Sequence, residues 1–579
     1  MSDIDALLTL ARAWMQSDPD PTTREAVQRL IDAADLTDLS EHFDSRLQFG
    51  TAGLRGALGP GPNRMNRANV RHVTAGLADY LLRTVPNARE SGVVIGFDGR
   101  HLSLEFAHDA ACILADRGFR VWIYDVVVPT PRLAHAVSWL KACGGIMVTA
   151  SHNPARDNGY KVYWGNGAQI IAPHDTGISA AIDGLSPFDP RPLGELAAHR
   201  DQGLVMQPPG ELTEHYYERI ASLRVHPTGP LCVVYSAMHG VGTASVLRAL
   251  GDAGYDSVHP VPEQRDPDPD FPTVAFPNPE EPGALDLSFA LADEVDADII
   301  VANDPDADRL AVAVRDASGA WRKLTGNQVG VLLAHDLLVH GDHGDSQPMV
   351  ATTVVSTRML KAIAVDLGAD FQQTLTGFKW IANAAMDHEA RGGCFVFGFE
   401  EALGYSAGDV VRDKDGVSAV LLLCDLAAWC LSHGFTLLDH LTELYRRYGL
   451  HVSIQRSVVL PGAEGSVQIE RAMHQLRTSP PTHLGGSRVI RLEDLSTGRG
   501  ISAGTDRVDV IDLPRSNVII WEMEDGGRAV ARPSGTEPKI KFYGEAKVPL
   551  GESVADAELA ANLRVRELVD ELLQLSGLP

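Results

Sequence analysis

The chain has 579 residues, and 50 Lys plus Arg against 76 Asp plus Glu give a formal net charge of −26. At roughly 150 residues per domain that length suggests three to four domains, and the composition is that of an ordinary globular protein. The acidic balance excludes a general binder of nucleic acid or anionic membrane, which would cluster Lys and Arg, but allows a small anionic substrate in a local cationic pocket.

The six cysteines form no C-x-x-C pair, which predicts reduced thiols and a cytoplasmic protein. The first residues carry acids where a secretory signal carries bases, so no export signal is expected. The most apolar stretch, 417–435, is interrupted by Asp425, Ser432 and His433. It is expected to be a buried core helix rather than a membrane span.

In chain order, residues 1–44 read as a helical extension with acidic faces. Domain I is expected over 45–205, where VVIGFDGR, RVWIYDVVV and GGIMVTASHNP each pair a short apolar run with a Gly or polar terminator, the signature of buried parallel strands. Domain II is expected over 206–323, with strands in LCVVYS, YDSVHPV, ADIIVAN and LAVAV. Domain III, 324–447, holds MVATTVVST, FQQTLTGFKW and CFVFGFEEALGY and closes with the helix after Lys414. Domain IV, 448–579, reads as antiparallel strands with a turn at Asp525-Gly-Gly527 and a final helix. The fold class is therefore α/β: three successive α/β domains with mixed sheets and a smaller C-terminal α+β domain.

Four loops carry candidate chemistry. Thr149-Ala-Ser-His-Asn-Pro154 follows an apolar strand and can expose Ser151, although the same residues also suit a plain strand-to-helix turn. No G-x-S-x-G surrounds that serine, which disfavours a serine hydrolase. In Asp304-Pro-Asp-Ala-Asp-Arg309, three carboxylates at alternate positions between buried strands can converge on one hard cation such as Mg²⁺. An EF-hand is excluded because Arg309 stands where it needs Gly and Arg315 where it needs Glu. Asp266-Pro-Asp-Pro-Asp270 repeats the alternation, but its prolines hold it extended, so it reads as a rigid connector. Adjacent glutamates in Gly398-Phe-Glu-Glu-Ala-Leu-Gly-Tyr405 can bond sugar hydroxyls, or serve as helix-dipole acids. Arg532-Pro-Ser-Gly-Thr-Glu-Pro-Lys539 can turn backbone N–H groups toward a phosphate, with a hairpin turn as its simpler reading. Gly240-Val-Gly242 lacks a third glycine and reads as a βα turn, and no P-loop occurs.

Taken together, a serine, an acidic triad, a hydroxyl-binding acid pair and a phosphate cradle describe phosphoryl transfer on a phosphorylated sugar. The ordered set Thr51-Ala-Gly-Leu-Arg55, TASHNP, DPDADR, Thr376-Gly-Phe-Lys379, FEEALG, RDKDG and RPSGTEPK resembles the α-D-phosphohexomutase superfamily, the phosphoglucomutases and phosphomannomutases. The resemblance covers roughly residues 50 to 540 and implies four domains around a central cleft. It implies that Ser151 is a phosphoserine, and that Asp304, Asp306 and Asp308 hold one Mg²⁺ together with a Ser151 phosphate oxygen. Thr51, Arg55, His152, Lys161, Arg309, Thr376 and Lys414 become cleft contacts, with His152 and Lys414 the expected acid and base. Glu400 and Ala402 fall at the sugar, and Arg532, Ser534, Gly535 and Thr536 at the phosphate that is not reacting.

The main expectation is interconversion of glucose 1-phosphate and glucose 6-phosphate through a sugar 1,6-bisphosphate, by a monomer or dimer. Hexose enzymes of this superfamily commonly carry a serine where Ala402 stands. FEEALG resembles the branch that includes enzymes of pentose phosphates, so phosphopentomutase is the alternative, with phosphomannomutase beside it. A catalytically silent phosphosugar-binding protein is the remote alternative.

Overall fold

The run Val93–Phe97 forms a strand with all five residues buried, as a β-branched run without polar interruption must when helices cover both faces. In the computed structural model it is the hub of a six-stranded sheet, parallel to Gly144–Val148 on one side and to Val121–Ile123 on the other. Asp157–Trp164 continues that sheet antiparallel to Gly144–Val148, and Leu54–Ala57 pairs beyond it. All residues are described except 1–2, 52, 187–192, 461, 506–507, 535–538, 552 and 579. The chain divides into two compact units, Met1–Thr325 with Leu403–His433, and Gly326–Ala402 with Gly434–Pro579.

In the first unit, residues 1–44 make three helices, Asp3–Ser17, Pro21–Ala33 and Leu36–Phe43. Asp20 and Asp35 cap the second and third, and Pro21 opens the second where its missing N–H costs nothing. Leu7, Ala11, Trp14, Val27, Leu39 and Phe43 give these helices a core of their own. A second sheet has the order Trp321–Leu324, Ala311–Arg315, Ile299–Ala302, Val233–Ser236, Val258–Pro260. Its inner strands Ile299–Ala302 and Val233–Ser236 are parallel and wholly buried. The Asp304 loop turns from Ile299–Ala302 into the antiparallel Ala311–Arg315.

The helix after Lys414, Gly416–Ser432, belongs to this first unit and packs on the helix Thr243–Asp252. The chain returns there through Leu310 N–H to Leu403 O and an antiparallel bridge of Arg309 with Gly404. Asp415 caps that helix by accepting from the N–H groups of Val417 and Ser418. The helix is buried through most of its length, as its apolar run requires. Among the described residues no single helix is long and apolar enough to cross a membrane.

In the second unit Pro348–Thr353 lies between Asp370–Thr374 and Cys394–Glu400, parallel to both. The C-terminal sheet is antiparallel, from Leu450–Val459 and Lys539–Val548 through Arg528–Pro533 and Ile519–Met523 to Ser487–Asp494. The helix Val554–Ser576 covers it. The fold class read from the sequence, three successive α/β domains followed by a C-terminal α+β domain, is the one observed.

Candidate active site

Ser151 stands three residues past the end of the strand Gly144–Val148 and is buried, with its backbone left-handed at φ 52°. Its Oγ donates to Asp304 Oδ2 at 2.7 Å, and His152 Nδ1 lies 3.2 Å from the same oxygen. Asp304, Asp306 and Asp308 are buried, and one oxygen from each lies within 4.8 Å of the others. Alternation in a tight turn points the three carboxylates to one side, and the strands at both ends hold the turn at the sheet edge. Gly240 allows this: a Cβ there would come 2.4 Å from Pro305 Cα, and Val241 N–H bonds Pro305 O at 2.9 Å. The glycine pair that reads as a plain βα turn is thus the seat of the acidic loop.

Two lysines meet the triad. Lys161 Nζ lies 2.7 Å from Asp306 and 3.2 Å from Asp308, and Lys414 Nζ lies 3.2 Å from Asp308. Lys161 stands opposite Met147 on the neighbouring strand, which brings it level with the serine loop. Arg309 gives Asp304 its backbone N–H at 3.1 Å, and its guanidinium Nε is 3.8 Å from both Asp304 and Asp308. Arg55 donates to Asn153 Oδ1 at 3.2 Å, so it touches the serine loop. Thr51 lies in the turn closed by the Gly50–Gly53 bridge, just before the strand that carries Arg55.

The charges respond to this crowding. Burial, then the charges of Asp306 and Asp308, hold the Asp304 carboxyl well above the usual carboxylate range. Burial also opposes ionisation of Asp306, but Lys161 and the Thr130 hydroxyl overcome it and hold that carboxyl below its usual range. Burial works against the Lys161 ammonium, yet Asp306 and Asp308 raise it. His152 is kept neutral by burial first and by Arg309 and Arg55 second.

The triad suits a hard divalent cation. It offers only oxygen, and Asp306 Oδ1 and Asp308 Oδ1 are buried without a hydrogen-bond partner.

Sequence reasoning missed the supports. Thr130 donates to Asp306 Oδ2 at 2.7 Å from the start of the helix Thr130–Leu140. Asp413 accepts from Tyr163 Oη and Gln169 Nε2, each at 2.7 Å, and lies 3.1 Å from Lys414 Nζ. The only signal for Asp413 was its place beside Lys414 in a charged run, and Thr130 had none.

In the second unit, Glu400 Oε1 accepts the Gly377 N–H at 2.7 Å, which ties the sugar-loop candidate to the Thr376 loop. Gly377 has φ 113°, a backbone that excludes a side chain there. Glu401 accepts from Ser356 Oγ at 2.9 Å. Ala402, half-buried, is the last residue of this part of the unit. Tyr543 joins this loop to the strand Arg528–Pro533: it is hydrogen-bonded to Arg532 and feels the charges of Glu401 and Glu400. Ser534 N–H bonds Lys539 O at 2.7 Å, while Gly535 and Thr536 lie outside the described residues.

Three stretches match known domain families, described as "Phosphoglucomutase/phosphomannomutase, alpha/beta/alpha domain I", "domain II" and "domain III", over residues 46–187, 213–319 and 325–448. The chain is 39% identical over 565 residues to the phosphopentomutase of Homo sapiens, covering 93% of this chain and 91% of that one. It is 38% identical over 504 residues to the phosphoglucomutase of Staphylococcus epidermidis, covering 87% and 91%. Among solved structures, a putative phosphomannomutase from Thermus thermophilus has the same fold, with a TM-score of 0.66 at 24% identity over 92% of this chain and 99% of that one.

Proposed function

The chain belongs to the α-D-phosphohexomutase superfamily, and we propose that within it the chain is a phosphosugar mutase whose preferred substrate is a pentose phosphate, ribose or deoxyribose 1-phosphate. The observation that carries the reaction class is the direct hydrogen bond between Ser151 Oγ and a buried carboxylate triad flanked by Lys161, Lys414 and Arg309. A serine joined to an all-oxygen cation site is the equipment of a phosphoryl carrier, not of an acyl transferase.

The preference for pentose departs from the glucose expectation. It rests on Ala402 in the sugar loop, and on the relative named phosphopentomutase, whose match covers more of this chain than that of the relative named phosphoglucomutase.

In the proposed cycle, Ser151 begins phosphorylated. A hydroxyl of the sugar monophosphate attacks phosphorus, the P–O bond to Ser151 breaks, and Ser151 Oγ takes up a proton as the hydroxyl gives one away. The bisphosphate turns over. Ser151 Oγ then loses its proton and takes the other phosphoryl group, and the sugar leaves with a free hydroxyl where that group was. Neutral His152, 3.2 Å from Oγ, can take the proton that the attacking hydroxyl gives away and pass it to Oγ, and in the second half take it from Oγ and hand it to the leaving sugar oxygen; Lys414, beside Asp308, is the other candidate acid/base group. Asp304, Asp306 and Asp308 would hold Mg²⁺, which screens like charges and steadies the oxygens of the transferring group. Lys161 and Arg309 offset the remaining negative charge. Thr51, Arg55 and Thr376 would contact the bound phosphosugar, Glu400 would take its hydroxyls, and Arg532 with the Ser534 turn its resting phosphate.

The test is kcat/KM for ribose, deoxyribose, glucose and mannose 1-phosphates with Mg²⁺ and a trace of the matching bisphosphate. The pentoses should lead, Ala402→Ser should narrow the gap to glucose, and Ser151→Ala should abolish turnover. A large glucose preference in the wild type sinks the pentose reading, and full activity in Ser151→Ala sinks the mutase itself.

A further inference from the structure

A left-handed serine persists only where its surroundings over-determine it, since that backbone costs a side-chain-bearing residue about 1–2 kcal/mol. At Ser151 both sides of the residue are fixed. Its N–H donates to Thr149 Oγ1 at 2.8 Å, and Thr149 Oγ1 donates to Asp98 Oδ2 at 2.6 Å. Its carbonyl accepts from Arg100 Nη2. The Arg100 side chain is 1% exposed, and all four of its Nη hydrogens are committed to backbone carbonyls: Nη2 to Ser151 O and Asn153 O, Nη1 to Pro154 O and Asp157 O. Its Nε lies 3.2 Å from Asp98 Oδ2. One planar group therefore spans the whole turn from residue 151 to residue 157, and Asp98 anchors both it and the other side of the serine.

The pair has a lid from the rigid connector. Phe271, at the end of Asp266-Pro-Asp-Pro-Asp270, lies against Arg100, with the guanidinium carbon 4.9 Å from the ring centre. Gly99 is bare because a Cβ there would sit 2.8 Å from Pro267 Cβ. His101 Nε2 is 2.7 Å from Asp270 Oδ1. Three consecutive residues, 99 to 101, thus each meet the connector. The connector in turn is fixed to the loop after Val233–Ser236, through Asp268 N–H to His239 O at 3.0 Å and His239 Nε2 to Thr273 Oγ1 at 2.8 Å. That strand is paired with the one leading into the Asp304 loop.

We propose that Arg100, clamped by Phe271, is a positioning residue for Ser151. It holds the serine loop in one place relative to the acidic triad while the Oγ alternates between hydroxyl and phosphate. The inference rests on the phosphoserine cycle proposed above. A phosphoryl group adds about −1.5 to −2 charges beside three carboxylates, so a loop free to relax would move its Oγ away on every turn of the cycle. Arg100 touches only backbone of the loop, so its loss should act on phosphoryl transfer and leave sugar affinity alone. A lysine cannot stand in: it has no planar fork to reach four carbonyls at once.

The experiment uses the full chain and the variants Arg100→Lys and Phe271→Leu. It measures kcat and KM for ribose 1-phosphate, and the rate at which a sugar bisphosphate phosphorylates Ser151, by rapid quench and intact mass. A misplacement on the order of 1 Å costs about 100-fold, so Arg100→Lys should lose about that in kcat and in the phosphorylation rate, with KM within about threefold. Phe271→Leu keeps every Arg100 hydrogen bond and should fall about fivefold in the same two rates. If Arg100→Lys does not fold, Phe271→Leu decides. Variants equal to wild type in both rates, or altered in KM alone, overturn the inference while the cycle stands. A wild type that takes no phosphoryl group on Ser151 overturns the cycle, and this inference with it.

Discussion

Two segments of this chain share one pattern, Asp-Pro-Asp-x-Asp, and the protein treats them in opposite ways. In 304–308 the three carboxylates are buried and meet Lys161, Lys414 and the Ser151 hydroxyl. In 266–270 the outer carboxylates are solvated, with side-chain exposures of 75% for Asp266 and 74% for Asp270, and the apolar neighbours Pro267 and Phe271 make the inward contacts. The composition of the loop does not decide this. Buried strands at both ends force the first segment to converge, whereas the second has no flanking strand and, against the extended form its prolines suggest, closes a turn in which Phe271 N–H bonds Asp268 O at 3.2 Å. A carboxylate cluster is costly to bury unless cations or a metal repay the desolvation, so the first arrangement is bought by function.

The largest effect should therefore separate the two segments. Asp306→Asn removes a charge from the proposed cation site and should lower turnover by about 1000-fold, several kcal/mol of transition-state stabilisation, and weaken Mg²⁺ binding. Asp266→Asn should leave turnover within about twofold. Steady-state kinetics with calorimetric Mg²⁺ titration checks both, and equal effects in the two segments would erase the distinction.

Next comes the support of the triad. Lys161→Met leaves Asp306 and Asp308 buried beside an apolar side chain, and stranding a buried charge costs about 3–5 kcal/mol. A ligand that binds only the folded state restores stability by mass action, so Mg²⁺ should recover part of that loss. Urea unfolding with and without Mg²⁺ measures it. A deficit that Mg²⁺ leaves untouched would mean that the lysine props the fold rather than balancing a cation site.

The same contrast explains what was legible in the sequence. The triad, Ser151 and the α/β succession could be read because each couples a local pattern to a buried strand: alternation at 304–308, a polar end after GGIMV, β-branched runs at 93–97 and 299–302. Arg100, Thr130 and Asp413 could not. Each acts through partners 51, 176 or 250 positions away, and nothing in its own neighbourhood encodes the pairing. Residues 403–433 lie within the stretch matched to domain III, 325–448, while their contacts group them with the first unit, a return that no local pattern announces. Gly240 reads as part of a βα turn and lies in one, between Val233–Ser236 and Thr243–Asp252, but its close backbone approach to Pro305 has no local signal.

The helix that delivers Thr130 to the triad also buries a histidine without an acidic partner in hydrogen-bond contact. Burial pushes His135 down to about 4, with Val410 O and His215 as its hydrogen-bond partners. In the unfolded chain the same imidazole protonates near 6.5. Its contribution is therefore complete above pH 6.5 and lost as pH falls toward 4, by up to about 3 kcal/mol. Denaturant unfolding at pH 7.5 and 5.0 should show a larger loss for wild type than for His135→Gln. Equal losses would place the acid sensitivity elsewhere.

The smallest effect belongs to the connector's own contact between His101 and Asp270. His101 and Asp270 are 2.7 Å apart but 48% and 74% exposed, and such pairs are worth about 0–1 kcal/mol. Asp270→Asn should therefore change unfolding free energy by less than about 1 kcal/mol, and less still in high salt. The grip of the connector on the serine loop then resides mainly in Phe271 against Arg100, both buried, with the exposed Pro267 against Gly99 beside it. A loss above about 2 kcal/mol for Asp270→Asn would reverse that order, because an exposed carboxylate would then be doing what only a buried one does at 304–308.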